Sequence, residues 1–523
     1  MEIIHNLEAA HWIGSHRNLL LLRGWAILRN GSPVAAIRLS LAGGTVAGYH
    51  GISRPDVAKA HGGNPAGVFS GFSLLARLEP RDLPGTLEAE TQDGTWRAFS
   101  SITPERITGE SPVAPIESEA AGWNEAPDPR EVAAQKPVLF ISHDFAAAGA
   151  QLLLVRQLAW LKRHSPFPLE TLIAVPRSTT GRSSAAEQDV LAGFQAAGPV
   201  HFISDLTHAP ENLAAIRRGC YRLVYANTGT LGWLLPALGR LPCPVISHIH
   251  ELGFWLERRT GLAVFARQAA RTDRYIACST AVRDYLTGRP GVPVGKIAVI
   301  HASGSTPQAR QIRAEHTKEG LRAAMDIPDG AFVVTACGTF DWRKGAELFL
   351  PICVALQRML GPRELRAYWI GGYGDEIIRD QFNHEAESAG LAGKATLLGH
   401  QPDRLRWMFA ADCLALPSRE DPFPMVMLEA GALGLPIVGF VGSGGVTEFV
   451  GTEAGLLVPF LDVEAFAAAL HQLAIDPARA LALGQGAERR SSGLYEDGTS
   501  FRKIAALIRE LDALPSRPTA YGR

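Results

Sequence analysis

The stretch CLALPSREDPFPMVMLEAGALGLPIVGF, residues 413–440, reads as strand, helix and strand in immediate succession. Cys413 to Leu416 and Pro436 to Phe440 are short apolar runs of the kind that lie buried in a parallel sheet. Between them Pro424 suits a first helical position, where its missing N–H costs nothing. The amides of Met425 and Val426 would then point out of the helix start toward an anion. Glu429, further along, can accept hydrogen bonds from sugar or ribose hydroxyls. A plain capped helix after a core strand explains the same residues, so the surroundings have to choose.

The same texture extends from Pro137 onward. Strand-like runs at Val138–Ser142, Leu169–Val175, Val200–Ile203, Arg222–Ala226, Val245–His250, Tyr275–Ser279 and Ile297–Ile300 alternate with helical segments. A second set covers Phe332–Cys337, Arg366–Ile370, Ala395–Leu398, Cys413–Leu416, Pro436–Phe440 and Leu456–Val458. Two doubly wound, Rossmann-like halves facing a cleft follow from this pattern, at 137–315 and 316–523. Residues 1–108 differ, with short alternating runs such as Leu19–Leu28, Val34–Leu41, Val68–Leu78 and Thr86–Glu90. Turn signals at Asn30–Pro33 and Gln92–Gly94 separate them, as in a small all-β, sandwich-like module. Residues 109–136, rich in Glu and Pro, read as an acidic linker.

Composition sets bounds on function. A chain of 523 residues exceeds one ordinary core. A formal charge of −1 gives no reason to expect a nucleic-acid partner. The Arg258–Arg289 segment is locally basic, which fits either a solvated helix face or a surface for acidic lipid or an anionic acceptor. No two of Cys220, Cys243, Cys278, Cys337, Cys353 and Cys413 fall at CxxC spacing, so buried reduced thiols are expected. The first residues do not resemble a signal peptide, and no apolar run approaches the ~20 residues of a membrane helix. A cytoplasmic protein, with peripheral membrane contact open, is the expectation.

Ligands of a doubly wound sheet bind outside the carboxyl ends of its strands. After Cys337, Gly338 permits close backbone approach, and Arg343 with Lys344 supplies charge for a diphosphate. A solvated basic pair in a loop is the plainer alternative. Gly442 to Glu448, including Gly444 and Gly445, can form an anion-binding nest, and it does not match the dinucleotide fingerprint. In the first half, His143 and Gly149 flank a small-residue turn at a helix start. His248 and His250 share a strand face, but no third metal ligand lies near in sequence, so no metal is expected.

Taken in order, Gly338 to Gly345, Gly399 to Ser418, Asp421 to Ala430 and Gly444 to Glu448 resemble the motifs of glycosyltransferase family 4, retaining enzymes of the GT-B fold. The likeness spans roughly residues 137–513. It implies Glu429 on the ribose, Asp421 as the acid near the transferred sugar, and Lys344 on the phosphates. It implies His250 approaching the donor sugar and Gly149 facing the phosphates. Phe423, Met425, Val426, Gly444, Gly445 and Glu448 complete the donor grip. Asp421, His250 and Lys344 are the candidate catalytic residues. This sequence departs from the family pattern in three places. Asp421 replaces the glutamate, Pro422-Phe423-Pro424 replaces a glycine-rich turn, and Thr339 stands where many members carry arginine. The last helix, about Ser500 to Leu514, is expected to cross back onto the first half. A metal-independent hexosyl transfer is implied, from a nucleotide-sugar to a glycan or lipid-linked acceptor, with no cofactor, in bacterial-type surface polysaccharide synthesis. The alternatives are an epimerase or phosphorylase on the same fold, or a non-catalytic nucleotide- or glycan-binding scaffold.

Overall fold

The computed structural model describes residues 2–107 (except 14–18, 30–33, 35, 43, 53–56, 58–59, 61–70, 78–81 and 92), 136–174 (except 147), 185–202, 221–237 (except 233) and 243–513 (except 290, 305, 494 and 496). Most of the expected acidic linker, the Asn30–Pro33 turn and Cys220 therefore lie outside the described residues.

Among the described residues the front module has seven antiparallel strands: β1 (Ile3–Ile13), β2 (Leu19–Leu28), β3 (Ala36–Leu41), β4 (Gly44–Ile52), β5 (Gly71–Arg77), β6 (Gly85–Glu90) and β7 (Trp96–Ile102). They form one continuous sheet in the order β1-β2-β5-β4-β3-β6-β7. The sheet folds over so that its halves share a core of Leu20, Leu22, Ile37, Leu39, Phe72, Leu87 and Ile102. Its two edges meet where His5 of β1 packs on Phe99 of β7, with ring centroids 5.0 Å apart. Of the Gln92–Gly94 signal, Gln92 lies outside the described residues, while Asp93 and Gly94 lie in the β6–β7 hairpin, where Gly94 takes a φ of 81°. β1, β4 and β7 do not stand out in the sequence, because their mixed polarity hides the period of two.

The first parallel sheet comprises β8 (Val138–Ser142), β9 (Leu169–Ile173), β10 (Val200–Phe202), β11 (Leu223–Ala226), β12 (Val245–Ile249), β13 (Arg274–Ala277) and β14 (Ile297–Val299), ordered β10-β9-β8-β11-β12-β13-β14. The second comprises β15 (Phe332–Cys337), β16 (Leu365–Ile370), β17 (Ala395–Gly399), β18 (Cys413–Leu416), β19 (Ile437–Phe440) and β20 (Gly455–Val458), ordered β17-β16-β15-β18-β19-β20. Strands β8, β11, β12, β18 and β19 are buried throughout, as strands covered on both faces require. In each sheet the chain winds outward from one central strand and then reverses. The reversal puts the loops after β8 and β11 side by side, and likewise those after β15 and β18. These are the topological switch points, where an open sheet leaves a crevice for ligands.

The last helix, Asp497–Asp512, packs on helix Gly149–His164 of the first parallel domain. Phe501 meets Trp160 at 6.3 Å between ring centroids, Asp512 pairs with Arg222 at 3.0 Å, and Ser500 Oγ donates to the His301 carbonyl at 2.8 Å. The front module is tied to the same domain by the ion pair of Glu90 with Arg267. The basic segment is thus partly used inside the protein: Arg289 pairs with Glu257 at 2.6 Å and Arg274 with Glu510 at 3.5 Å. Cys278, Cys337, Cys353 and Cys413 are free thiols, and burial pushes each of them up, away from thiolate reactivity. Among the described residues no helix is long and apolar enough to cross a membrane.

Ile508 sits wholly buried on the returning helix. Ile508→Ala should cost about 2–5 kcal/mol through lost burial and a residual cavity. A urea titration reads this as a lower midpoint at unchanged slope; an unchanged midpoint would mean that the helix does not dock.

Candidate active site

Four loops converge at the paired switch points. Helix Gly149–His164 begins after Ala148 and helix Met425–Ala432 after Pro424, and neither start carries a side-chain cap. Pro424 is thus the residue before the helix, with ψ of 115°, and not its first helical residue as the sequence suggested. Because the Met427 amide reaches back to the Pro424 carbonyl, Met425 and Val426 are left as the outward-facing amides. The two helix starts face one another: a Cβ built on Gly149 would lie 3.5 Å from Met425 Sδ. Two positive helix ends pointed at one gap are suited to an anion.

Lysine and acid meet beside that gap. Lys344 Nζ donates to Asp421 Oδ2, joining the loop after β15 to the loop after β18. Arg343 Nη1 lies 3.9 Å from Asp421 Oδ1 and donates to the Glu420 carbonyl at 3.2 Å. Asp421 is only 5% exposed, so its carboxylate relies on these cations. Glycine is required at two supporting positions. Gly338 has a φ of 145° and lies under the Lys344 stem, while a Cβ on Gly345 would fall 1.9 Å from the Pro417 carbonyl oxygen.

Four of the expected donor-site residues have other partners. Phe423 is buried in an aromatic cluster with His301 and Tyr495, at 5.4 and 5.3 Å, and does not face the cleft as a sugar contact. Gly444 and Gly445 seat the 421–423 loop. Asp421 pairs with Gly444 as an isolated bridge, and the Gly445 amide is spent on the Asp421 and Pro422 carbonyls. The Gly442 amide donates to Thr447 Oγ1 at 3.3 Å, so two amides of the expected nest, at Gly442 and Gly445, are used within the protein. Glu448 reaches across to the first domain, accepting from the Thr280 amide at 3.1 Å, Thr280 Oγ1 at 2.5 Å and His301 Nε2 at 3.3 Å.

Glu429 is 3% exposed and takes Arg404 Nη2 on Oε1 at 2.6 Å. Arg404 was missed from the sequence; it opens the short helix Arg404–Ala410 and owes its place to a partner 25 residues away. On the opposite wall, His143 Nδ1 lies 3.6 Å from Asp144 Oδ2, and Asp144 is anchored by the Ala146 amide at 2.9 Å. His250 Nε2 bonds Asn227 Oδ1 at 3.1 Å, and its ring lies 3.9 Å from that of His248. Burial holds His250 down to about 4, so it is neutral near pH 7. Glu251 accepts the His250 amide at 3.0 Å and the Gly229 amide at 2.9 Å, and burial pushes its carboxyl up. Asn227 and Thr228 were also missed, although they directly follow β11, where the strand-end rule could have found them. Among the described residues, no three His, Cys, Asp or Glu side chains gather as a metal site.

Two family models match this chain: one described as glycosyl transferases group 1 over residues 331–476, and one as Glycosyltransferase Family 4 over 170–302. Together they cover more than half of it. The chain belongs to glycosyltransferase family 4. Among curated relatives of this family 4 chain, the D-inositol 3-phosphate glycosyltransferase of Rhodococcus opacus is 30% identical over 302 residues, 54% of this chain and 66% of that protein. The chain thus spans just under two thirds of that relative's length. The lipopolysaccharide core biosynthesis glycosyltransferase LpsE of Rhizobium meliloti is 33% identical over 155 residues, 30% of this chain and 43% of that protein. Anabaena HepE, solved in complex with UDP-glucose, is 21% identical with a TM-score of 0.59, covering 72% of this chain and all of that one. A glycosyltransferase from Rickettsia africae gives 0.58 at 14% identity, covering 72% of this chain and 98% of that one. The fold is GT-B, with the antiparallel module in front of it.

The Glu448 bridge carries a pH signature. Burial pushes its carboxyl up, but the hydrogen bonds from His301 and Thr280 outweigh burial and the net shift is downward. A lowered folded value stabilises above the unfolded value of about 4.5 and is lost as the pH falls through the folded one. The stability gap between wild type and Glu448→Gln should be widest near neutrality and close as the pH falls below about 4.5. A gap that is constant with pH in urea titrations would remove Glu448 from this role.

Proposed function

We propose that this family 4 chain is a retaining, metal-independent hexosyltransferase, moving a sugar from a nucleotide-sugar to a glycan or lipid-linked acceptor in bacterial-type surface polysaccharide synthesis. The observation that carries this reading is the meeting of two uncapped helix starts, at Gly149 and Met425, beside Lys344 and Arg343. A nucleoside diphosphate gains negative charge as the glycosidic bond breaks, and this is where charge of that sign is best received. One helix start contributes ~0.3–2 kcal/mol, about tenfold in rate at ~1.4 kcal/mol per decade. Lys344 and Arg343 therefore have to carry most of the stabilisation.

Asp421 has a second part in this scheme. As the diphosphate draws Lys344 toward itself, the Asp421 carboxylate is left nearest the carbon that becomes positive. It acts there as a supporting charge, with the acceptor attacking on the face from which the diphosphate leaves. Glu429, with Oε1 held by Arg404, offers Oε2 to ribose hydroxyls. The UDP-glucose complex of HepE makes UDP-sugars the first donors to try.

Lys344→Ala and Glu429→Ala should each lower transfer by at least about 100-fold while keeping the wild-type circular dichroism spectrum. Normal turnover in either variant would sink the assignment. Melting temperatures measured with UDP-, GDP- and dTDP-sugars should rise for one base, since binding stabilises the native state by mass action.

A cytoplasmic site with peripheral membrane contact belongs to the same proposal. Phe254 and Trp255, just before the basic segment, and Leu262 inside it are 38%, 39% and 44% exposed, a juxtaposition suited to an interface of acidic lipid. Trp255→Ser with Leu262→Ser should reduce cosedimentation with anionic vesicles; unchanged binding, or none by the wild type, would overturn it.

A further inference from the structure

We propose that Asn227 is a positioning residue that fixes His250 in its Nε2–H tautomer, so that His250 presents a bare Nδ1 to a hydroxyl of the transferred sugar. The inference rests on the reading of the cleft as a donor-sugar site.

The tautomer follows from a short chain of hydrogen-bond logic. Asn227 is 3% exposed, and its own amide donates to the Ile141 carbonyl at 2.9 Å, which fixes its backbone between β8 and β11. Its side-chain Nδ2 lies 3.1 Å from the Ala150 carbonyl oxygen. A carbonyl only accepts, so the amide nitrogen has to be the atom facing Ala150. Oδ1 is then the atom facing His250 Nε2, at 3.1 Å. Oδ1 also only accepts, so Nε2 must carry a hydrogen. A neutral imidazole has one, which leaves Nδ1 as a lone pair. His250 is neutral because burial holds its pKa to about 4.

The ring is fixed from other sides as well. His248 lies against it, itself held by Tyr225 Oη on Nδ1 at 2.7 Å, and the His250 amide is bonded to Glu251. Nδ1 has no protein partner among the described residues and is not among the atoms sealed from solvent. A bare lone pair selects a hydrogen-bond donor. It suits a sugar hydroxyl and repels phosphate and carboxylate oxygens. An amide at 227 can hold the ring in this way without charging it, whereas a carboxylate there would favour a charged imidazolium. Ala150 lies in the first turn of the Gly149 helix, so Asn227 also ties the sugar-facing histidine to the diphosphate-facing helix start.

Long-range ¹H–¹⁵N spectra of the full chain without ligand test this directly, with the His250 signals assigned by their loss in His250→Gln. The expected result is a protonated Nε2 and an unprotonated Nδ1, becoming a mixture of tautomers in Asn227→Ala. A protonated Nδ1 in the wild type, or an unchanged pattern in the variant, overturns the proposal. In a double-mutant cycle, Asn227→Ala should lower kcat by about tenfold alone. In a His250→Ala background it should cost less than about twofold, the scatter of independent sites. Equal losses in both backgrounds would show that Asn227 does not act through His250. If no donor supports transfer at all, the functional reading fails, and the tautomer measurement still decides the hydrogen-bond assignment.

Discussion

The contact between Lys344 and Asp421 is the constraint around which the cleft is built. It closes the switch point of the second parallel sheet by joining the two loops that the strand reversal sets side by side. A carboxylate as buried as Asp421 costs several kcal/mol in desolvation unless cations attend it. Much nearby backbone follows from that need. Gly338 makes room for the lysine stem, Gly345 lets its loop pass the Pro417 carbonyl, and Gly444 lets the next loop pair with Asp421. The stabilisation is local, yet it aligns helix Met425–Ala432 with helix Gly149–His164.

This explains why the loops read as anion nests are partly occupied by protein. Gly444 and Gly445 are glycines because another loop passes too close for a side chain. Close approach to a ligand and close approach to a neighbouring backbone demand the same residue. Sequence alone cannot tell the two apart. Phe423 illustrates the same ambiguity for an aromatic, since a stacking platform and a core anchor look identical in the chain. Here it anchors, together with His301 and Tyr495, the junction of the two parallel domains.

The parallel strands and their order of appearance were legible because continuous apolar runs alternate with helices, and β8, β15 and β18 begin and end within a residue of expectation or on it. The grouping of Arg343, Lys344 and Asp421 was legible from a family pattern and from the strand-end rule together. Arg404 and Glu251 were not, because each owes its role to a partner distant in sequence: Glu429 and the 228–229 turn. The front strands were only partly legible, since a sheet that folds over on itself buries some residues on an outer face. Glu90 is one such residue, drawn against Arg267.

The returning C-terminal helix has a mechanical consequence. The chain passes between the two parallel domains twice, once before helix Thr306–Glu315 and again between helices Pro477–Gly493 and Asp497–Asp512. A single tether would let one domain swivel freely on the other. Two tethers behave like a door hung on two pins: they permit opening about the line that joins them and resist twist across it. Any opening of the cleft is therefore confined to that line, and the same residues meet again when it shuts.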